Sequence, residues 1–414
     1  MSFEAVLLTP QTCIGADLNK WVNNIGGKGL ENALQTPDKI IDIIQKADLR
    51  GMGGAGFPTY RKWQAISEQN SNDKYIICNG NEDEPGTFKD RLMLKETPHQ
   101  IIEGALIAAL AAKANHVYLY INPHQAEAIS VMTQAVEQWL KHPLFEKLEK
   151  SLNHKIELKV VKSHGIYIGG EETAVISSVE GGFPFPRKKP PFPFEKGVLG
   201  QPTVVNNVET LATVPHILRN GYEWYQNLGL GNASGTKLYS LSGDVLKPGL
   251  YELPMGTTLR ELIYTHGGGM LSSSPFKAVF TGGPSNTLLK INDLDVCMDF
   301  DSLKAKGSSL GTGAMIVISE GTSIVRKVAE YVDFFAAGSC GQCTSCKTGT
   351  YQLSRLLRRI DTGAGLHSDL RALESLCKLL PRSGRCALID GAATVVSSSL
   401  HQFYEEYEQQ LIDG

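Results

Sequence analysis

Eight cysteines occur along the chain, and three of them, Cys340, Cys343 and Cys346, fall in the string SCGQCTSC with two residues between successive thiols; Cys386 stands forty residues further on. Three ligands on one tight loop with a fourth at a distance suit a 4Fe-4S cube. Each iron requires one thiolate, and the two-residue spacing fans successive sulfurs around one side of the cube. A structural zinc, which more often uses two separate pairs of ligands, is the alternative for the same thiols. The candidates for the remote ligand are Cys377 and Cys386. Cys377 shares a helical stripe with Leu373, Leu376 and Leu380, where a thiol acts as a small core hydrophobe. Cys386 follows the turn Ser383-Gly384-Arg385, which can bring a thiolate back to the first loop, and is the expected ligand. Cys13, Cys78 and Cys297 lack partners at ligand spacing and read as structural.

Four further strings carry polar chemistry. In GMGGAGFPT (51–59), Gly51, Gly53 and Gly56 satisfy the formal G-x-G-x-x-G pattern. The preceding DIIQKADLR has helical rather than strand periodicity, so the dinucleotide-fold context is missing. The loop is either a plain glycine turn or a place where backbone approaches a flat or phosphorylated ligand closely, and Pro58 suits the first turn of a following helix. Asn79, Asn81, Glu82, Asp83 and Glu84 follow the run YIIC, at the kind of strand end where α/β sheets hold ligands; a solvated turn is the alternative. In GIYIGGEETAVISSVEG, Gly169 and Gly170 open a helix whose first turn holds Glu171, Glu172 and Thr173 and which Gly181 closes; acidic residues there also complement the helix dipole. In TVVNNVET, Asn206 and Asn207 either hydrogen-bond a polar ring edge or cap a helix.

The elements that must position these groups change texture along the 414 residues. Helical and loop-rich sequence up to about residue 60 gives way to the β-rich runs YIICN, VYLYIN and KIELKVV, separated by helix-like stretches such as 100–114. That alternation reads as an α/β sandwich. The Pro-rich stretch 183–197 is long enough to cover a site. From Lys237 to about Val317, short strands around one small helix suggest a compact α+β unit, and beyond Thr322 four amphipathic helices make a bundle. The expected domains are 1–235, 236–320 and 321–414. With 40 Lys+Arg against 43 Asp+Glu, the net charge of −3 excludes an electrostatic nucleic-acid binder. The longest apolar run, Ala105 to Ala112, is far short of the ~20 residues that span a bilayer. The N-terminus has Glu4 where a secretory signal wants positive charge, so a cytoplasmic, bacterial-type chain is expected.

Together, and in this order, the strings GGAGFPT, EPGTFKDR, GEETA, KPPFP, TVVNNVET and SCGQCTSC resemble the family of 51 kDa NADH-binding flavoprotein subunits of respiratory complex I, NADH:quinone oxidoreductase, along with related diaphorase subunits. The resemblance runs from about Leu49 to the C-terminus. It implies a Rossmann-like α/β sandwich binding FMN and NADH, then a β-grasp (SLBB-like) domain, then a four-helix bundle carrying one 4Fe-4S cluster on Cys340, Cys343, Cys346 and Cys386. Carried over by position, Gly51, Gly53, Gly54, Ala55, Gly56 and Phe57 with Lys62 would cradle FMN and NADH. Asn79, Asn81 and Glu82 would face the flavin, and Glu84 the NADH. Tyr167, Gly170, Glu171 and Glu172 would line the pocket, and Asn206, Asn207 and Thr210 would hold the FMN ribityl phosphate. Phe57 and Phe192 would grip the adenine, with Lys189 close to the nucleotide.

The resemblance also implies the reaction. Hydride passes from NADH to flavin N5 without a protein nucleophile, Glu82 and Glu172 lying nearby, and electrons leave singly through the cluster. The implied partners are a thioredoxin-like 2Fe-2S subunit and a large multi-cluster iron-sulfur subunit, which would hold the chain at the cytoplasmic face of the bacterial inner membrane. Some positions depart from the family pattern: Met52 and Tyr60 stand for its Arg and Gly, Asn81 for an Asp, Gly338 for a Glu and Ser345 for a Pro. Loss of charge at Met52 is expected to alter phosphate grip or nucleotide preference, and Asn81 to make the flavin surroundings less negative. Within the enzyme class the alternative is a diaphorase subunit of a soluble formate dehydrogenase or hydrogenase. Outside it, the rival is a zinc-holding scaffold protein.

Overall fold

The computed structural model describes residues 5–271 and 274–412. The β-rich runs form a four-stranded parallel sheet of β1 (Tyr75–Gly80), β2 (His116–Ile121), β3 (Glu157–Lys162) and β4 (Thr203–Asn207), ordered β3-β2-β1-β4. The chain builds outward from β1 to β3 and then returns to the far side of β1 for β4. β1 therefore sits at a topological switch point, where a crevice opens beyond the carboxyl ends of the strands. Register decides what reaches it: Cys78 lies beside Asn206, and Asn79 beside Asn207.

Helix Pro98–Ala112 is buried at every position. It packs against the sheet and against helices Lys28–Gln35 and Val208–Asn220, so it has no solvent face to keep polar. Its one carboxylate, Glu103, accepts hydrogen bonds from Trp21 Nε1 at 2.8 Å, Gly27 N at 2.7 Å and Leu30 N at 3.0 Å. These bonds stitch the N-terminal helices to the core, and burial pushes the carboxyl above its ordinary pKa.

A second sheet contains β5 (Thr236–Gly243), β6 (Gly249–Pro254), β7 (Phe276–Thr281), β8 (Leu288–Leu289) and β9 (Ala314–Ser319) in the order β6-β5-β9-β7-β8, with β5 and β9 parallel. The sequence suggests one small helix here; besides the 3-10 turn Ile291–Asp293, the described residues hold two longer helical segments, Glu261–His266 and Phe300–Ala305. The second is too short and too polar to show a periodic stripe, and is declared only by the Asp299 side chain that caps it. The C-terminal helices are Ile324–Gly338, Thr344–Asp361, His367–Leu379 and Leu388–Gln402. The last of them breaks at Phe403, beyond which lies the short helix Tyr404–Glu408. This bundle shares a core with the second sheet through Ala278, Phe280, Ile316 and Ile318. Among the described residues no helix is long and apolar enough to cross a membrane.

Candidate functional site

A cavity of about 660 Å³ opens at the switch point. It gathers Gly51, Gly53, Gly54, Ala55, Gly56, Phe57 and Lys62 from the first glycine loop, Asn79, Asn81, Glu82 and Glu84 from the end of β1, Tyr167, Gly170, Glu171, Glu172 and Lys189, and Asn206 and Asn207 from the end of β4. Strand order brings these strings together although more than a hundred residues separate the first from the last. Two residues singled out from the sequence stand elsewhere. Thr210 is fully buried, and its Oγ1 accepts from Met52 N at 2.8 Å, so it holds the glycine loop from behind. Phe192 lies outside the lining and stacks on Phe194, with ring centroids 5.7 Å apart.

Close approach explains the glycines. A Cβ on Gly53 would stand 3.0 Å from Asn207 Cβ, and one on Gly56, which has φ +60°, would stand 2.5 Å from the Phe300 ring. The Met52 side chain is turned into the core, so its effect on the cavity runs through the backbone and not through a lost charge. Asn81 spends its amide inside the protein: Nδ2 donates to Asp83 Oδ2 and Ile166 O, both at 3.1 Å, and Oδ1 accepts from Ser163 Oγ. An Asp here would set a second carboxylate against Asp83 and the Ile166 carbonyl.

The carboxylates differ in their surroundings. Glu172 lies between Lys62 and Lys189, the latter at 2.6 Å; burial opposes its charge, but the two lysines hold its carboxyl below the ordinary value. Glu171 caps helix Glu172–Val179 by accepting from Thr173 N and Ala174 N. Glu82 accepts from Asp90 N and from the Arg91 guanidinium, each at 2.8 Å, and burial with Asp90 nearby raises its pKa. Among the described residues Glu84 pairs with hydroxyls, those of Tyr167 and Ser285, and burial raises it too.

The cofactor-binding residues expected from the sequence reach no further than Thr210. The structure adds Ser285, Asn286 and Thr312 from the second sheet's loops, and Cys386, Ala387, Leu388, Asp390, Gly391 and Thr394 from the bundle. A signal for the first group was present in TGGPSNT, whose Gly282 and Gly283 both take positive φ. Gly283 lies so close to Glu84 that a Cβ would meet its Oε1 at 2.7 Å.

Cys340, Cys343, Cys346 and Cys386 border a second, small space with Ile168, Pro186 and Leu388. Cys377 is half-buried elsewhere, and burial raises its thiol to about 12. Cys343 caps helix Thr344–Asp361, and Cys386 precedes helix Leu388–Gln402. Two helix N-termini thus face the thiols, and their dipoles favour the negative charge of metal-bound thiolates. Ser345 Oγ donates to Ser383 O at 3.0 Å and ties the cysteine loop to the turn before Cys386. Among the described residues no three His, Cys, Asp or Glu side chains converge on one ion-sized point; the four thiols border one small space instead, one thiolate for each iron of a 4Fe-4S cube.

Comparison with known proteins agrees with this geometry. Residues 44–216 match the family model described as the Nuo51 FMN-binding domain, 238–285 the SLBB domain, and 326–410 the NADH-ubiquinone oxidoreductase-F iron-sulfur binding region. The chain is 44% identical to the second NADH-quinone oxidoreductase F-type subunit of Rhizobium meliloti (strain 1021), over 92% of this chain and 91% of that one. The chain belongs to the family of NADH-quinone oxidoreductase F-type subunits. The F-type subunit of Escherichia coli (strain K12) is 41% identical, over 94% and 89% of the two chains. Among solved structures, the NAD+-reducing NiFe-hydrogenase in its H2-reduced state superposes with a TM-score of 0.86 at 33% identity, covering 96% of this chain and 67% of that one. The chain thus has an FMN-binding domain and a 4Fe-4S binding region. The residues present fit both groups: a roomy polar cavity floored by glycine backbone for the flavin, and four free thiols around one space for the cluster.

Proposed function

We propose that the chain is the electron-input subunit of an NADH:quinone oxidoreductase, receiving hydride from NADH and passing electrons on singly. The observation that carries this reading is a shared wall: Ile168, Cys386 and Leu388 border both the large cavity and the thiol-lined space. A group in the first is then one residue layer from a group in the second. When bound, FMN accepts the hydride at N5 and the 4Fe-4S cluster takes electrons one at a time.

The chain's own part is to bind, orient and exclude water. The loop 51–57 lets the flavin lie against backbone, Lys62 faces it, and Asn206 and Asn207 sit on its phosphate side. Glu82 and Asn81 fix the segment after β1, Glu84 and Tyr167 would serve the nicotinamide, and Phe57 and Lys189 would meet the rest of the nucleotide. Cys340, Cys343, Cys346 and Cys386 hold the cluster. We place the domain limits at 1–235, 236–320 and 321–414. The onward partners are a thioredoxin-like 2Fe-2S subunit and a large multi-cluster iron-sulfur subunit, which hold the chain at the cytoplasmic membrane face.

Anaerobic addition of NADH to the loaded chain should bleach the flavin absorbance and then produce an electron paramagnetic resonance (EPR) signal from the reduced cluster. A colourless, zinc-loaded chain that leaves NADH unoxidised would overturn the reading. The likeness to the NAD+-reducing NiFe-hydrogenase favours a second reading, a diaphorase subunit of a soluble hydrogenase or formate dehydrogenase. Purification of the native complex separates the two, since membrane-arm subunits accompany the first and a nickel-iron or molybdenum subunit the second.

A further inference from the structure

Behind Asn207 runs a chain of buried ion pairs that none of the roles above uses. Lys237 on β5 and Lys89 on helix Lys89–Glu96 are both fully buried, as is Glu209 on helix Val208–Asn220. Glu209 Oε2 accepts from Lys237 Nζ at 2.5 Å and from Lys89 Nζ at 3.0 Å, while its Oε1 takes the Leu238 backbone N–H at 2.8 Å. Lys89 spends its other two protons on Asp90 Oδ1 at 2.6 Å and Asn207 Oδ1 at 3.0 Å. Every proton of that ammonium has an acceptor.

The consequence falls on the Asn207 amide. Its Oδ1 meets two donors, Lys89 Nζ and Glu209 N, and its Nδ2 donates to Asp90 Oδ2 at 2.6 Å. A flipped amide would set its NH2 against an ammonium and a backbone N–H, and its oxygen against a carboxylate. One orientation survives, and of the two Nδ2 hydrogens one remains for the cavity that Asn207 borders. Asn206 is anchored similarly, its Oδ1 accepting from Trp63 Nε1 at 2.9 Å.

Two buried lysines sharing one carboxylate are a poor way to stabilise a core, since apolar residues of similar volume often do as well or better. Burial draws the Lys237 ammonium down to about 8 despite Glu209. Directionality is what such an arrangement supplies. We propose that Lys237, Glu209 and Lys89 are positioning residues that lock Asn207 as a hydrogen-bond donor toward the flavin phosphate, so that a strand of the second sheet sets how tightly FMN is held. This rests on the reading of Asn207 as a phosphate-side group.

The test is fluorescence titration of the deflavinated full-length chain with FMN and with riboflavin, which lacks the phosphate. Lys237→Met should weaken FMN binding about tenfold, the scale of one charge-assisted hydrogen bond, and leave riboflavin within twofold. In an Asn207→Ala background the same substitution should change FMN affinity less than twofold, because its route to the ligand is gone. An equal loss in both backgrounds, or an equal loss for riboflavin, overturns the proposal and makes Lys237 merely structural. If Lys237→Met does not fold, the near-isosteric Glu209→Gln is run through the same cycle with the same expectations. Asn207→Ala leaving FMN affinity unchanged would instead refute the phosphate-side reading itself.

Discussion

Gly56 is where the second sheet's helix meets the cofactor loop, and Gly56→Ala is expected to damage the flavin site by two separable routes. The residue has φ +60°, and an added Cβ would stand 2.5, 2.8 and 2.9 Å from Cδ1, Cε1 and Cγ of Phe300. Left-handed backbone costs a non-glycine residue about 1–2 kcal/mol, and overpacking a built contact costs about 1–3 kcal/mol. The Phe300 ring is not free to swing away, because Arg50 lies over it and pairs with Asp301 through two hydrogen bonds. The sum, about 2–5 kcal/mol, should appear partly as lower stability and partly as displacement of the loop; every 1.4 kcal/mol that falls on the bound state weakens FMN about tenfold. Gly181 is the control for backbone cost alone, since it has φ +85° and nothing within 4 Å of its Cβ position. Denaturant unfolding and FMN titration of Gly56→Ala, Gly181→Ala, Phe300→Ala and Gly56→Ala/Phe300→Ala are the assay. Measured against Phe300→Ala, the Gly56 substitution should fall to the Gly181 value of about 1 kcal/mol. If Gly56→Ala costs no more than Gly181→Ala in the native background, the prop beneath the loop carries no load and the reasoning fails.

Glu84→Gln should impair NADH binding more than FMN retention, and the ratio of the two affinities checks it. Its folded pKa is raised by burial, so its stabilising contribution is complete at acid pH and is lost as pH rises; the neutral variant should out-melt the native chain at pH 8 but not at pH 4. Cys386→Ser should lose cluster iron and its EPR signal, a serine oxygen being a poor ligand for the cube, whereas Cys377→Ser should keep both at a modest loss of stability. Because Cys386, Ala387, Leu388, Asp390 and Gly391 also line the large cavity, Cys386→Ser should in addition loosen FMN, which an untouched flavin affinity would contradict. An acid extract should contain about one FMN per chain and no FAD, since no strand leads into the glycine loop.

Local signals in the sequence served well where the chemistry is local. The turn before Cys386 and the leucine stripe around Cys377 set the two thiols apart, and of the pair it is Cys386 that borders the space shared with Cys340, Cys343 and Cys346. Alternation of β-rich and helical runs announced the α/β unit, whose strands all run parallel. What stayed hidden is what depends on strand order and on side-chain direction. Nothing local to TVVNN says that β4 lies against β1 rather than at the sheet's other edge, yet that pairing sets Asn207 beside Asn79. Met52 looked like a lost charge at a binding loop, but alternate residues of a tight loop face opposite ways and this one faces the core. Phe192 found a ring partner two residues away in Phe194, a contact that family position does not encode. Lys89 and Lys237 could not be known as buried, because lysine is almost never fully buried without partners and the carboxylate they share, Glu209, lies on another segment of the chain.

The segment 386–391 shows why the three units have to be read together. Cys386 lines the thiol-ringed space and, with Leu388, the large cavity, while Gly391 packs against Ser285, where a Cβ would meet the serine's own at 2.9 Å. Ser285 in turn donates to Glu84 at the end of β1. One short stretch of bundle therefore touches the cysteine site, the second sheet and the parallel sheet's switch point. A helix start in that position joins two jobs: its N–H groups face the thiolates, and its first turn closes the flavin side of the cavity. With the proposed cofactors in place, ordering this turn by cluster ligation also completes the cavity wall, so cluster loading and flavin affinity have to be coupled in both directions by linkage. The second sheet, which supplies Ser285, is then the brace that would let the two redox groups share a wall one residue thick.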